Sequence, residues 1–229
     1  MNKGRCIGLF GGLGVGAAIH YYQKLSDAHA ARSLVLDLVM VHADMARIPR
    51  AIEANDPAAL AQYFNEILLR LQAAGAEFAV LPSVTSHYPL DQLREISPLP
   101  LIDIFAPLNR ELAARNIRRV AAFGTRYVLE TRLYGRVPGV EFVPATPQET
   151  DLIHNMYMEL AWRGRGTPEQ FAAFTQLAQE LIRREQLDAI LLAGTDLSLL
   201  FDDTNTAFPA IDCAALHIAA IVDQSAQPH

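Results

Sequence analysis

An α/β fold of two similar halves, each a small parallel sheet flanked by helices, is what the sequence predicts, and three observations predict it. Apolar runs of strand length alternate with helix-length patterns along all 229 residues. The runs are continuously apolar rather than alternating, as strands are when helices cover both faces of a parallel sheet. The order of strand, glycine turn, helix and polar loop comes round twice. The expected arrangement is two domains related by pseudo-twofold symmetry, with the ligand cleft between them.

The first half opens with Cys6-Ile7-Gly8-Leu9-Phe10, a strand run that ends on Gly11-Gly12 and leads into a helix over residues 17–31. Residues 34–41, rich in Val and Leu, form a second strand. Asp56 and Pro57 start a helix, the aspartate as N-cap and the proline in the first turn. Its apolar stripe is Leu60, Phe64, Ile67, Leu68 and Leu71, and Gly75 stops it. Phe78-Ala79-Val80-Leu81 is a third strand and residues 100–104 a fourth.

The second half repeats the rhythm. Residues 120–123 form a strand ending at Gly124-Thr125, residues 140–143 a short one, and residues 148–161 a helix. Thr167-Pro168-Glu169-Gln170 supplies a cap, a first-turn proline and a capping-box glutamine, and opens a helix to about residue 185. Ala189-Ile190-Leu191-Leu192 is a strand ending at Ala193-Gly194-Thr195; a short strand at Ala210-Ile211 and a helix over 214–222 close the chain. The first domain is placed at residues 1–103 and the second at 104–209, with the C-terminal segment 210–229 returning to the first. No linker rich in Pro, Gly or Ser separates them.

Composition excludes several function classes. Hydrophobic residues make up 51% and charged residues 19%, which suits a folded globular chain. The net charge is −6 and basic residues come only in pairs such as Arg118-Arg119, whereas a nucleic-acid groove needs a basic face. No run reaches the roughly 18 apolar residues of a membrane span. The two cysteines, Cys6 and Cys213, are too few and too far apart for a disulfide framework or a CxxC metal site, so a reducing, cytoplasmic setting is expected.

Ligands of open parallel sheets sit beyond the carboxyl ends of the strands. That rule singles out the loops at Gly12, at His42 and Asp44, at residues 82–87, at Thr125 and at residues 194–196. Gly12-Leu13-Gly14-Val15-Gly16-Ala17 fits G-x-G-x-x-G/A between a strand and a helix. The acidic partner of a dinucleotide site is misplaced, however: Asp37 falls inside the second run and Asp44 lies too far on. A glycine turn that lets backbone approach a small anion is the other reading. His42, Asp44 and His87 offer no metal-ligand spacing. Pro82-Ser83-Val84-Thr85-Ser86-His87 packs Ser83, Thr85, Ser86 and His87 after a strand without the Gly or Asn of an ordinary turn, which suits a carboxylate- or carbonyl-binding loop. Thr195 and Asp196 read either as caps of a short helix or as ligand groups. Asp212 reads first as a cap, His217 as a core or surface histidine. Cys213 is either a small buried residue or a thiol whose pKa a helix N-terminus lowers.

Together these pieces resemble the aspartate/glutamate racemase family over nearly the whole chain. Residues 7–14 look like its opening I-G-x-x-G-G-M, and Tyr21-Tyr22 matches the Y-Y of its first helix. Gly75-Ala76-Glu77 precedes the third strand as in the family, and residues 81–87 align with its P-C-N-T-x-H loop. Gly124-Thr125-Arg126-Tyr127 matches G-T-x-x, residues 192–197 align with L-G-C-T-E-L, and Asp212 and His217 with the closing D-x-x-x-x-H. The resemblance implies a cofactor-independent enzyme in which two thiols flank the substrate α-carbon, one removing and one returning its proton. It also implies that this chain departs from the family at those places. Ser83 and Gly194 stand at the two cysteine positions, Val84 at the asparagine, Ala193 at the glycine and Asp196 at the glutamate.

The expected function follows. The pocket takes a small amino or dicarboxylic acid, and two-thiol racemisation gives way to isomerase, lyase or decarboxylase-type chemistry at the carbon beside a carboxylate. Ser83, Asp196 and His217 are the catalytic candidates. Gly12, Asp44, Thr85, Ser86, His87, Thr125, Gly194 and Thr195 are the binding candidates. No cofactor, metal, nucleic acid or membrane partner is expected, and the resemblance implies a homodimer. A non-catalytic binder or sensor of an amino dicarboxylate is the alternative.

Overall fold

The computed structural model describes residues 2–227. The chain divides into two compact units, one made of Met1–Asp103 and His217–His229, the other of Ile104–Leu216. The first contains β1 (Asn2–Lys3), β2 (Ile7–Gly11), α1 (Val15–Ala31), β3 (Leu34–Val35), β4 (Leu38–His42), α2 (Arg47–Glu53), α3 (Pro57–Ala73), β5 (Phe78–Val80), α4 (Leu90–Ile96) and β6 (Leu101–Ile102). The second contains α5 (Phe105–Ala114), β7 (Arg119–Phe123), α6 (Arg126–Glu130), β8 (Glu141–Phe142), α7 (Pro147–Arg163), α8 (Pro168–Glu185), β9 (Ala189–Leu192) and β10 (Ala210–Asp212). Helix α9 (Cys213–Ser225) starts in the second unit and belongs to the first from His217 onward.

Each unit carries a four-stranded, wholly parallel sheet. The first runs β4-β2-β5-β6 and the second β10-β9-β7-β8. Numbered within its own unit, each sheet has the same order, second-first-third-fourth. Leu9 lies between Met40 and Val80 in the first, and Ile190 between Ala210 and Ala121 in the second. Reversal of strand order at the first strand opens a crevice beyond the carboxyl ends of the first and third strands. Those ends are Gly11 and Val80 in one unit, Phe123 and Leu192 in the other.

Local chemistry sets the helix boundaries. Asp56 caps α3 by accepting from Ala59 N–H at 2.9 Å, and Pro57 opens it. Thr146–Glu149 and Thr167–Gln170 form full capping boxes on α7 and α8. The α3 stripe buries against its sheet, with Phe64 edge-on to Phe10 at 5.5 Å between centroids. In the second unit Phe174, Phe201 and Phe123 hold the corresponding core.

Two expectations change. The run 34–41 is not one strand. Leu34–Val35 pairs with Asn2–Lys3 as a separate ladder, and only Leu38–His42 joins the main sheet. The break is polar: the Asp37 carboxylate pairs with Lys3 at 2.7 Å and its carbonyl accepts from Ile7 N–H. Residues 210–212 pair with β9, so the second unit keeps this last strand. Helices α2, α4, α5 and α6 were not anticipated. The N-caps of the first three, Ala46, Pro89 and Ile104, make no side-chain cap bond. Among the described residues no helix is long and apolar enough to cross a membrane.

Candidate functional site

In the first unit the glycine turn after β2 is explained by backbone approach. Gly12 has φ +79°, and a Cβ on it would lie 2.3 Å from the Ala43 carbonyl oxygen and under 3 Å from the His42 ring. An L side chain is therefore excluded twice, by conformation and by space. Asp44 is exposed; its Oδ1 accepts from Ala46 N–H at 3.0 Å, and its own N–H donates to Tyr63 Oη at 2.6 Å. It shapes the entry to α2 as an aspartate turn does.

The loop after β5 folds into a 3-10 turn over Thr85–His87. Ser83, Ser86 and His87 are buried and Thr85 is half-buried. The Ser83 carbonyl accepts from Ser86 Oγ at 2.6 Å and from His87 Nδ1 at 2.7 Å. A carbonyl can only accept, so His87 carries its proton on Nδ1. The turn that the sequence marked as unusually polar is thus held together by its own side chains.

His217 lies beside it, with ring centroids 6.3 Å from His87. It is fully buried; Nε2 donates to the Ile102 carbonyl at 2.8 Å and Nδ1 accepts from Tyr21 Oη at 3.0 Å. Burial, then the neighbouring His87, pushes its pKa down to about 3. Both ring nitrogens are engaged in a neutral imidazole, so the geometry favours the core-histidine reading over the catalytic one. Tyr21, matched in sequence only as half of a Tyr-Tyr pair, is the buried residue that fixes this tautomer, while Tyr22 is exposed.

In the second unit the ends of β7 and β9 meet closely: a Cβ on Gly124 would stand 3.2 Å from Gly194 N. Thr125 is buried and its hydroxyl accepts from Val128 N–H at 3.4 Å as the N-cap of α6. Thr195 and Asp196 are also buried, at the start of a 3-10 turn, Thr195–Leu199. Its N-cap is Gly194, so Thr195 and Asp196 stand inside the turn rather than at its cap position. Instead Asp196 Oδ2 accepts from Tyr157 Oη at 3.0 Å. Burial raises the Tyr157 pKa well above the usual phenol value, and the Asp196 carboxylate raises it further; the Asp196 amide and the Thr195 side chain oppose the shift. Tyr157 was missed in the sequence because it lies on the buried α7 face with Ile153 and Leu160 and reads as core.

The cysteines stand apart from this chemistry. Burial pushes the Cys6 thiol up to about 11, helped by Asp37, and pushes the fully buried Cys213 thiol well above its ordinary range. The lowering expected of Cys213 at a helix start is outweighed by desolvation. Asp212 caps α9, accepting from Ala214 N–H at 2.8 Å and Ala215 N–H at 3.1 Å. Among the described residues, the open cavities of the second unit include two. One, about 300 Å³, is lined by Arg126, Glu130 and Phe142 among others; the other, about 210 Å³, by Leu192, Asp202, Asp203 and Asp212. No group of three or more His, Cys, Asp or Glu placed to hold a metal occurs among the described residues.

Two parallel sheets of one strand order, each with a polar loop after its third strand, define a duplicated α/β protein of the racemase class. The Asp/Glu/hydantoin racemase family profile matches residues 10–221, and the chain belongs to that family. Solved structures agree in fold. A candidate Asp/Glu racemase from Yersinia pestis is 23% identical, with TM-score 0.82 over 97% of this chain and 100% of that one. The aspartate racemase of Picrophilus torridus is 17% identical, with TM-score 0.76 over 98% and 96%. An aspartate racemase homologue from Pyrococcus horikoshii OT3 is 20% identical, with TM-score 0.75 over 99% and 100%.

Proposed function

We propose that this racemase-family chain binds a small amino or dicarboxylic acid at its strand-end loops and that ordinary two-thiol racemisation has been lost. The observation that carries the reading is the state of the thiols. The chain has two cysteines, both free and buried, and burial pushes the pKa of both thiols up. Thiol proton transfer needs one thiolate and one thiol beside the α-carbon, and neither Cys6 nor Cys213 meets that need. At the positions that the resemblance sets against the family's two cysteines stand Ser83, whose hydroxyl is a far weaker acid than a thiol, and Gly194, which carries no functional group.

The remaining chemistry is of the isomerase, lyase or decarboxylase type beside a carboxylate, where hydrogen-bond donors stabilise developing negative charge. Ser83, Thr85 and Thr195 are the proposed donors, with Asp196 the remaining acid/base candidate. His217 is reassigned from proton transfer to support of the loop. A second reading, a non-catalytic binder, is favoured by the engagement of His217, His87 and Asp196 with partners inside the protein. A homodimer and a cytoplasmic setting remain part of the proposal. The exposed face Val15, Ile19 and Tyr22 of α1 supports the first, and two free cysteines suit the second.

Isothermal calorimetry with L-aspartate, L-glutamate and succinate tests the binding claim. Millimolar or tighter binding of at least one supports it. No heat with any of them, and no thermal shift, contradicts it. Product analysis of the bound acid then separates enzyme from binder.

A further inference from the structure

The cavity of about 300 Å³ in the second unit stands apart from the proposed acid site. It opens beyond the carboxyl end of the edge strand β8, between α6 and the start of α7. Neither Thr125 nor the 194–196 loop lines it. Its half-buried lining is apolar, from Leu129, Phe142, Val143 and Ala145. Its more exposed lining is charged with both signs, Arg126, Arg132 and Glu130. Arg126 is already held: its guanidinium is paired with Asp151 and stands 3.6 Å from Glu130. Arg132 is exposed, and among the described residues its guanidinium forms no ion pair.

A strained turn presents Arg132. Arg132, Leu133 and Tyr134 are three consecutive non-glycine residues at positive φ, +50°, +52° and +56°, ahead of Gly135 at +66°. Each Cβ there crowds a carbonyl oxygen, so L residues enter this region singly rather than in runs. The turn is nonetheless tied down. Leu133 is fully buried, Thr131 Oγ1 accepts from Tyr134 N–H at 3.2 Å, and Gly135 N–H donates to Thr131 O at 3.1 Å. Backbone strain of this kind collects where the chain serves a ligand.

We infer that this cavity is a second binding site, for an α-amino acid with an apolar side chain. The Arg132 guanidinium takes the carboxylate through a forked pair of hydrogen bonds. The Glu130 carboxylate takes the ammonium, and the apolar lining takes the side chain. Opposite charges at the mouth select a zwitterion over a plain acid or a plain amine. The apolar lining disfavours a second carboxylate, which would be desolvated there without a partner. This site does not depend on the proposed function of the strand-end loops.

Isothermal calorimetry with L-leucine and L-phenylalanine tests it, and millimolar or tighter binding of at least one is expected. The analogues without an ammonium, isocaproate and hydrocinnamate, bind at least about tenfold more weakly. So do those without a carboxylate, isoamylamine and phenethylamine. Arg132→Gly removes the guanidinium and the crowded Cβ together. It keeps or raises the melting temperature while weakening amino-acid binding at least about tenfold, so lost binding is not lost folding. Glu130→Gln weakens binding by a similar factor. Thr150→Trp, on the α7 side of the lining, fills the space and removes binding with both charges in place. Thr150→Phe serves if that variant does not fold.

Failure of both amino acids to bind the wild type overturns the proposal. Binding that persists unchanged in the Arg132, Glu130 and Thr150 variants also overturns it, because the amino acid then sits elsewhere. Equal binding of the analogues without an ammonium does the same. L-Aspartate binding at the proposed acid site is expected to be unchanged in all three variants, so the two sites stand or fail separately.

Discussion

Tyr21 Oη donates a 3.0 Å hydrogen bond to His217 Nδ1, which fixes a buried histidine as the neutral Nε2–H tautomer against the Ile102 carbonyl. This relationship turns the closing D-x-x-x-x-H match into two structural positions. Asp212 caps α9, and His217 bonds back to the end of β6.

The first prediction follows from that tautomer. Unfolded, His217 titrates near 6.5; folded, burial and His87 hold it neutral down to about pH 3. Between those values the unfolded chain binds the extra proton, so this contribution is full above pH 6.5 and is lost as pH falls toward 3. Its slope is at most about 1.4 kcal/mol per pH unit. Urea unfolding of wild type is expected to weaken measurably from pH 6.5 to 4.5. His217→Gln is expected to be less stable at pH 7 and to lose most of that slope. An unchanged slope in the variant would remove His217 as its source.

The second prediction concerns the glycine turn. Gly12→Ala places a methyl against the Ala43 carbonyl at positive φ, and is expected to destabilise by at least about 2 kcal/mol. If the turn serves chain approach rather than a nucleotide, NAD and ATP leave the wild-type melting curve unmoved. A melting shift with either would restore the dinucleotide reading.

The third prediction concerns the thiols. Native protein is expected to react with Ellman's reagent at neither Cys6 nor Cys213 within minutes, and denatured protein at both, because the native thiols are buried and protonated. Rapid reaction of one native thiol would make that cysteine a candidate catalytic group.

Much of this fold was legible because its markers are local. Asp56-Pro57 and Thr167-Pro168 state where α3 and α8 begin, and the continuous runs at Phe78 and Ala189 state where strands are buried. What was not legible depends on partners distant in sequence. Leu34–Val35 leaves the main sheet for a ladder with Asn2–Lys3, and α5 lacks a capping side chain at Ile104. The site divides in the same way. The loops at residues 82–87 and 194–196 stand out by their polarity and strand-end position. That Ser86 and His87 spend their hydrogen bonds on the Ser83 carbonyl could not be read, nor that Tyr157, 37 residues before Gly194, fills its side-chain space.

The proposed loss of racemisation is tested most directly by following the α-proton of L-aspartate and L-glutamate by NMR in D₂O with the purified protein. The account predicts that both α-proton signals persist, even for an acid whose binding calorimetry detects. Exchange of the α-proton with accumulation of the D-enantiomer would contradict it.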